Sequence, residues 1–128
     1  MIQDWVDDVI KFHEKFVPDQ IGSVPAWNHE TLEKRTPLLV EEFQEMLRAV
    51  LDDDFPGYID SIVDAIYLMI GDAVACGVDL RPIWDAVHRA NMAKEKDGNK
   101  PIKPPGWTPP DVAGLLRGEA SLACVDCQ

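Results

Sequence analysis

Residues 38–75 read LLVEEFQEMLRAVLDDDFPGYIDSIVDAIYLMIGDAVA. In the first part Leu38, Leu39, Phe43, Met46, Leu47, Val50 and Leu51 recur at the three- and four-residue spacing of one helical face. The turn Asp52 to Pro56 interrupts the pattern. A second apolar segment, roughly Gly57 to Cys76, then runs to Gly77, a residue suited to the position just past a helix C-terminus. Two helices joined by so short a turn are expected to pack antiparallel, and the chain reads as all-α.

The pair carries acids in an ordered pattern. Glu42 and Glu45 are three apart, Glu41 and Glu45 four apart, and Asp60 and Asp64 four apart, so each set shares a helix face. Between Ser61 and Gly71 the only charged residue is Asp64. A carboxylate in so apolar a run must face water or meet a cation, because an unpaired buried charge costs several kcal/mol. Four or five carboxylates converging from two helices repel one another unless divalent metal neutralises them. Oxygen-only ligation suits magnesium or manganese and poorly suits zinc. The plainer reading, a solvated glutamate face, accounts for Glu41, Glu42 and Glu45 but not for Asp64.

Outward from this pair the pattern stays helical. Trp5, Val6, Val9, Ile10, Phe12 and Phe16 give a first helix over Asp4 to Phe16 that ends before Pro18. Pro18 to His29 reads as a loop. Thr36-Pro37 reads as the start of the second helix, with Glu30 to Arg35 at most a helical turn before it. A fourth helix begins near Asp79, carries Ile83, Trp84, Val87, His88 and Met92, and fades at Asp97-Gly98. Lys100 to Pro110 holds five of the ten prolines, which excludes regular helix or a central strand. Asp111 to Arg117 suits one short helix, and no strand alternation is expected anywhere. The organisation is a helical domain over 1–98 and a Pro-rich extension and tail of the same domain over 99–128.

With 128 residues, 46% hydrophobic and 27% charged, the chain suits one globular domain. A net charge of −11 argues against direct nucleic-acid binding, since no basic face is available to displace counterions. A phosphorylated small molecule stays open, because bound metal can supply the missing positive charge. No secretory signal is visible, and the longest apolar stretch holds Asp64 and Asp72 and is too short for a bilayer, so no membrane partner and a cytoplasmic location are expected. Cys76, Cys124 and Cys127 make no disulfide framework. The C-x-x-C at Cys124 and Cys127 lacks the second pair that zinc would need.

The ordered set Glu41-Glu42-x-x-Glu45, Asp60-Ser-Ile-Val-Asp64-Ala-Ile-Tyr67, Gly77-Val78-Asp79-Leu80, His88 to Lys94, and Lys103-Pro-Pro-Gly-Trp107-Thr-Pro-Pro110 resembles the MazG-like all-α nucleoside triphosphate pyrophosphohydrolases. The tail is similar to the short single-domain members of bacteria and phages. One position departs: the second motif of that family is E-x-x-D, and Ser61 stands where its glutamate would be, with Asp60 one residue earlier as the substitute.

The resemblance implies a four-helix MazG-like bundle that assembles as a dimer or dimer of dimers. It implies cleavage of a dNTP between the α and β phosphates, giving dNMP and pyrophosphate with two or more Mg2+ or Mn2+ ions per site. Glu42, Glu45, Asp60 and Asp64 become the metal ligands, and Glu41 the residue that orients or deprotonates the water. Asn91 and Lys94 become substrate contacts, with His88 and Arg89 as possible additions. His13 and Phe16, with Phe12 and Trp27, are expected as a stacking wall for the base, and Trp107 as a residue closing over a neighbouring site. The phage-like tail inclines the substrate to purine dNTPs such as dGTP; dUTP, dCTP or house-cleaning substrates are the alternative. A non-catalytic acidic module that binds a basic partner is the competing class.

Overall fold

The computed structural model describes residues 4–123, so the Cys124 and Cys127 motif lies outside it. Five helices and one small hairpin follow in order: α1 (Trp5–Phe16), α2 (His29–Leu51), α3 (Phe55–Ala75), α4 (Leu80–Met92), β1 (Glu95–Asp97), β2 (Lys100–Ile102) and α5 (Val112–Leu116), with a 3-10 turn at Pro18–Gln20. The architecture is mostly helical, as the patterning requires.

Aspartates start four of the helices. Asp4, Asp54, Asp79 and Asp111 each accept a backbone N–H of the first turn, which satisfies donors that a helix start leaves open. The α2–α3 connection is three aspartates long, and Asp53 takes a left-handed conformation (φ 55°) that aspartate tolerates better than most residues. Gly77 follows α3 at φ +73°, as its place past the helix end predicts.

Two features depart from the sequence expectation. First, α2 starts at His29, capped by Asn28, and runs through Pro37. Thr36-Pro37 is therefore not its start. Pro37 removes only one donor from a 23-residue helix, and the segment before it is anchored by Arg35, which donates to Asp72 and to the Leu68 carbonyl on α3. Second, Glu95–Asp97 pairs antiparallel with Lys100–Ile102 around Gly98 (φ 63°). Strands of three residues are too short to show alternation. Pro101 is tolerated because this two-stranded ribbon has only edges.

The helices α2 and α3 pack along their lengths as an antiparallel hairpin, and α1 lies on the C-terminal half of α3. Val6, Val9, Ile70 and Val74 form the buried core there, with Ile10, Ile21, Ile66, Leu80 and Leu122 packed around it. The loop before α2 crosses the end of α3: Gly22 donates to Val74 O and Ala26 to Cys76 O. A Cβ at Gly22 would sit 2.5 Å from Gly77 N, so backbone meets backbone directly. By contrast α4 packs on α5 and hardly touches α2 or α3. An apolar groove of about 740 Å³, lined by Trp5, Ile66, Met69, Leu80 and Trp84 among others, separates it from α1 and α3.

Candidate active site

The carboxylates lie along the α2–α3 hairpin, close enough for the charges of three of them to act on Glu42. Burial and the neighbouring charges of Glu45, Asp64 and Asp60 hold Glu42 above the ordinary glutamate value. Its Oε2 is buried with no hydrogen-bond partner. Thus Glu42 and Glu45 of α2 and Asp60 and Asp64 of α3 share one electrostatic neighbourhood, as the spacing predicts. Asp64 itself is exposed, like Asp60, Glu41 and Glu45. It takes the water-facing option, and the strained carboxylate is Glu42 instead. Ser61, the departure from the family motif, is buried beside them on α3.

This donor set suits a hard divalent cation. The acids are all oxygen donors, the charges of Glu45, Asp64 and Asp60 bear on Glu42, and one buried Glu42 oxygen is orphaned. The side chains nevertheless stand open: among the described residues no three His, Cys, Asp or Glu groups are gathered tightly enough to hold a metal ion as they lie. Binding there needs rotation of exposed side chains.

The expected substrate contacts divide. His13 is only 2% exposed, with Nδ1 on the Val9 carbonyl (3.0 Å) and Nε2 without a partner. Burial pulls it below the ordinary histidine value, against the pull of the Val9 carbonyl. It sits inside the α1–α3 contact, and a stacking wall that needs its ring at the surface does not form in this chain. Phe12 does form an aromatic patch, with Phe16 at 4.8 Å and Tyr67 at 5.5 Å between ring centroids. Trp27 is apart from that patch, stacked on His29 at 5.1 Å. Asn91, His88 and Arg89 are exposed on α4.

Trp107 is fixed rather than free. Its Nε1 donates to Ala90 O at 2.7 Å, and the Lys94 and Lys103 ammonium groups lie 5.5 and 5.1 Å from its ring centre. The prolines hold this segment against the end of α4. In the same chain Trp107 covers α4, not the acids.

Two charged assemblies went unread in the sequence. Arg35 and Asp72 bridge α2 and α3, and Arg81 joins Asp4 to the buried Asp79 at 2.8 and 2.9 Å. Asp72 carried the same signal as Asp64, an acid inside an apolar run, and here a cation does answer it.

An all-α hairpin carrying four acids across one seam defines a MazG-like pyrophosphohydrolase-type domain, a hydrolase of phosphoric anhydrides. Residues 9–91 match the phosphoribosyl-ATP pyrophosphohydrolase family, and the chain belongs to that family. Comparison with curated proteins gives no match. The matched segment contains the whole acidic cluster and ends at Asn91, so Lys94, the hairpin and Trp107 lie beyond it. No helix among the described residues is long and apolar enough to cross a membrane.

Proposed function

We propose that the chain is a metal-dependent nucleoside triphosphate pyrophosphohydrolase that converts a dNTP and water to dNMP and pyrophosphate. The observation that carries this is the orphaned Glu42 oxygen among Glu45, Asp60 and Asp64, a cluster that costs stability unless a cation offsets it. Magnesium or manganese, when bound, neutralises charge on the phosphate oxygens and acidifies water. Glu42, Glu45, Asp60 and Asp64 would hold it. Glu41, exposed one residue off the seam, would orient the water for attack on the α-phosphorus in line with departing pyrophosphate. Asn91 and Lys94 would bind sugar and phosphates.

The substrate leaning is to purine dNTPs such as dGTP, and it rests on the phage-like Pro-rich tail. A second reading has an observation of its own: the matched family is named for phosphoribosyl-ATP, which makes that compound the alternative substrate. A panel of dNTPs, NTPs and phosphoribosyl-ATP with magnesium or manganese separates them. Pyrophosphate is the expected product. Orthophosphate with an accumulating diphosphate would place attack at the γ-phosphorus and refute the reading.

Asp64→Asn should lower turnover by about 10²-fold or more, because catalysis rests on charge neutralisation at the phosphates. As Asp64 is exposed, the variant should keep its helical circular dichroism. Near-normal turnover in this variant would sink the metal assignment.

A further inference from the structure

One stripe of α1 is buried, and its last residue is a histidine. Val6, Val9 and His13 follow at the three- and four-residue spacing of a single helical face, and they are the buried residues of this helix. Val6 and Val9 enter the apolar core with Ile70 and Val74. His13 stands where another apolar side chain would have closed the contact. At its other end α1 is tied down by charge: Asp4 meets Arg81 of α4 at 2.8 Å, and Arg81 holds Asp79 at 2.9 Å. The Asp7 amide first, with Arg81 after it, holds Asp4 below the ordinary aspartate value, so this tether stays charged into acid.

The His13 ring is committed to one protonation state. Its Nδ1 lies 3.0 Å from the Val9 carbonyl, which can only accept, so Nδ1 is assigned the hydrogen and Nε2 the lone pair. That Nε2 is buried and has no partner among the described residues. The charged groups that bear on the ring are Arg35 of α2 and Asp72 of α3. Arg35 Nη2 and His13 Cε1 crowd the same point, where a Cβ on Gly71 would sit. Asp72 is already engaged by Arg35 at 2.5 Å. A proton on Nε2 therefore makes a buried donor with no acceptor and sets a second cation near Arg35. Burial, with Arg35 behind it, pulls His13 below the ordinary histidine value, against the Val9 carbonyl and Asp72.

We propose that His13 is a proton-operated latch: a proton taken up at Nε2 releases the C-terminal half of α1 from the α2–α3 hairpin, while Asp4 and Arg81 keep its start tethered to α4. The helix that yields is α1, because it lies on only half of α3, whereas α2 and α3 pack along their lengths. A histidine held down in this way binds fewer protons latched than released. Its stabilising contribution is whole above the ordinary histidine value and is lost progressively as pH falls from there through the folded value. Release reaches the acidic face of α3. Phe12, beside His13, packs edge-on against Tyr67 at 5.5 Å, and Tyr67 shares a face with Asp64 three residues before it. The latch needs no substrate, so it stands or falls apart from the pyrophosphohydrolase reading.

Amide hydrogen exchange of the full-length, metal-free protein between neutral pH and about pH 5, corrected for the intrinsic rate, reads the latch. Protection over residues 9–16 should fall roughly tenfold for each pH unit below about 6.5, until the folded value is reached. Residues 38–70 of the hairpin should keep theirs. His13→Phe, which takes up no proton, should hold residues 9–16 at constant protection across the range. His13→Asn, which keeps a donor for the Val9 carbonyl, serves if the larger ring does not fit. An NMR titration of the His13 Cε1–H signal needs no variant: the folded protein should titrate below the same protein unfolded in urea. Each of four results overturns the latch. These are protection that does not fall in the wild type, an equal fall in the variant, a loss over α1 and the hairpin together, and a His13 that titrates at or above its unfolded value.

Discussion

Glu42 is where function and stability oppose each other most directly. Its carboxyl is held above the ordinary glutamate value by burial and by Glu45, Asp64 and Asp60, so the folded chain holds its proton to a higher pH than the unfolded chain does. A raised carboxyl binds more protons in the folded state than in the unfolded one. Its contribution is present below the ordinary glutamate value and is lost as pH rises through the folded value. Glu42→Gln should accordingly raise the melting temperature of metal-free protein at neutral pH while lowering turnover. The gain should shrink as acidification protonates the wild-type group. Melting curves of both proteins at neutral and acidic pH, with chelator, check this; a destabilised Glu42→Gln at neutral pH would contradict it. Residue spacing alone gave Glu42 with Glu45, and Asp60 with Asp64, a shared face on each helix, and the short turn between the helices set those faces along one hairpin. Which of them turns an oxygen inward was not legible, because a three- or four-residue spacing gives a shared face without saying where that face meets the neighbouring helix. Hence the expectation that Asp64 bears the strain, and the finding that Glu42 does.

At the level of elements, the joint between α1, α2 and α3 depends on a missing side chain. A Cβ at Gly71 would run into Arg35 Nη2 and come within 3.0 Å of His13 Cε1. Arg35 uses that space to reach Asp72 and the Leu68 carbonyl. Gly71→Ala should therefore displace Arg35 and cost about 1–3 kcal/mol, the range of an overpacked core site. Denaturant unfolding of the two proteins measures it, and an unchanged midpoint would show that Arg35 can move without loss. The starts of α1, α4 and α5 and the stop of α3 were readable because aspartate caps and a glycine stop act through local backbone geometry. By contrast α4 ends at Met92, short of the expected Asp97-Gly98, because Glu95–Asp97 pairs as a strand instead. The course of α2 through Pro37 was not readable, since tertiary anchoring by Arg35 outweighs a local signal. The β1–β2 ribbon escaped for another reason: three-residue strands carry too few positions for a period of two to be seen.

The whole molecule leaves much apolar surface uncovered in one copy. Val40, Phe43, Leu47, Val50 and Leu51 of α2 are all exposed, Leu47 at 61% and Leu51 at 76%. Around α2 they form a stripe beside the seam, on the half of the hairpin that α1 does not reach. On α3, Phe55 and Ile59 are exposed along the same half. Contiguous apolar patches of this kind mark interaction surfaces, and two symmetric copies of a helical hairpin can bury them in one isologous contact. Self-association as a dimer or dimer of dimers is thus the expected state. Leu47→Glu places a charge in the middle of the stripe, where burial without a partner costs several kcal/mol. Light scattering at micromolar concentration should give at least twice the chain mass for the wild type and the mass of one chain for Leu47→Glu. The variant should keep its helices, because Leu47 is exposed within its own chain. It should lose turnover along with its partner. A wild-type protein that is monomeric and fully active would refute the assembly, and a monomeric Leu47→Glu with undiminished turnover would show that each chain works alone.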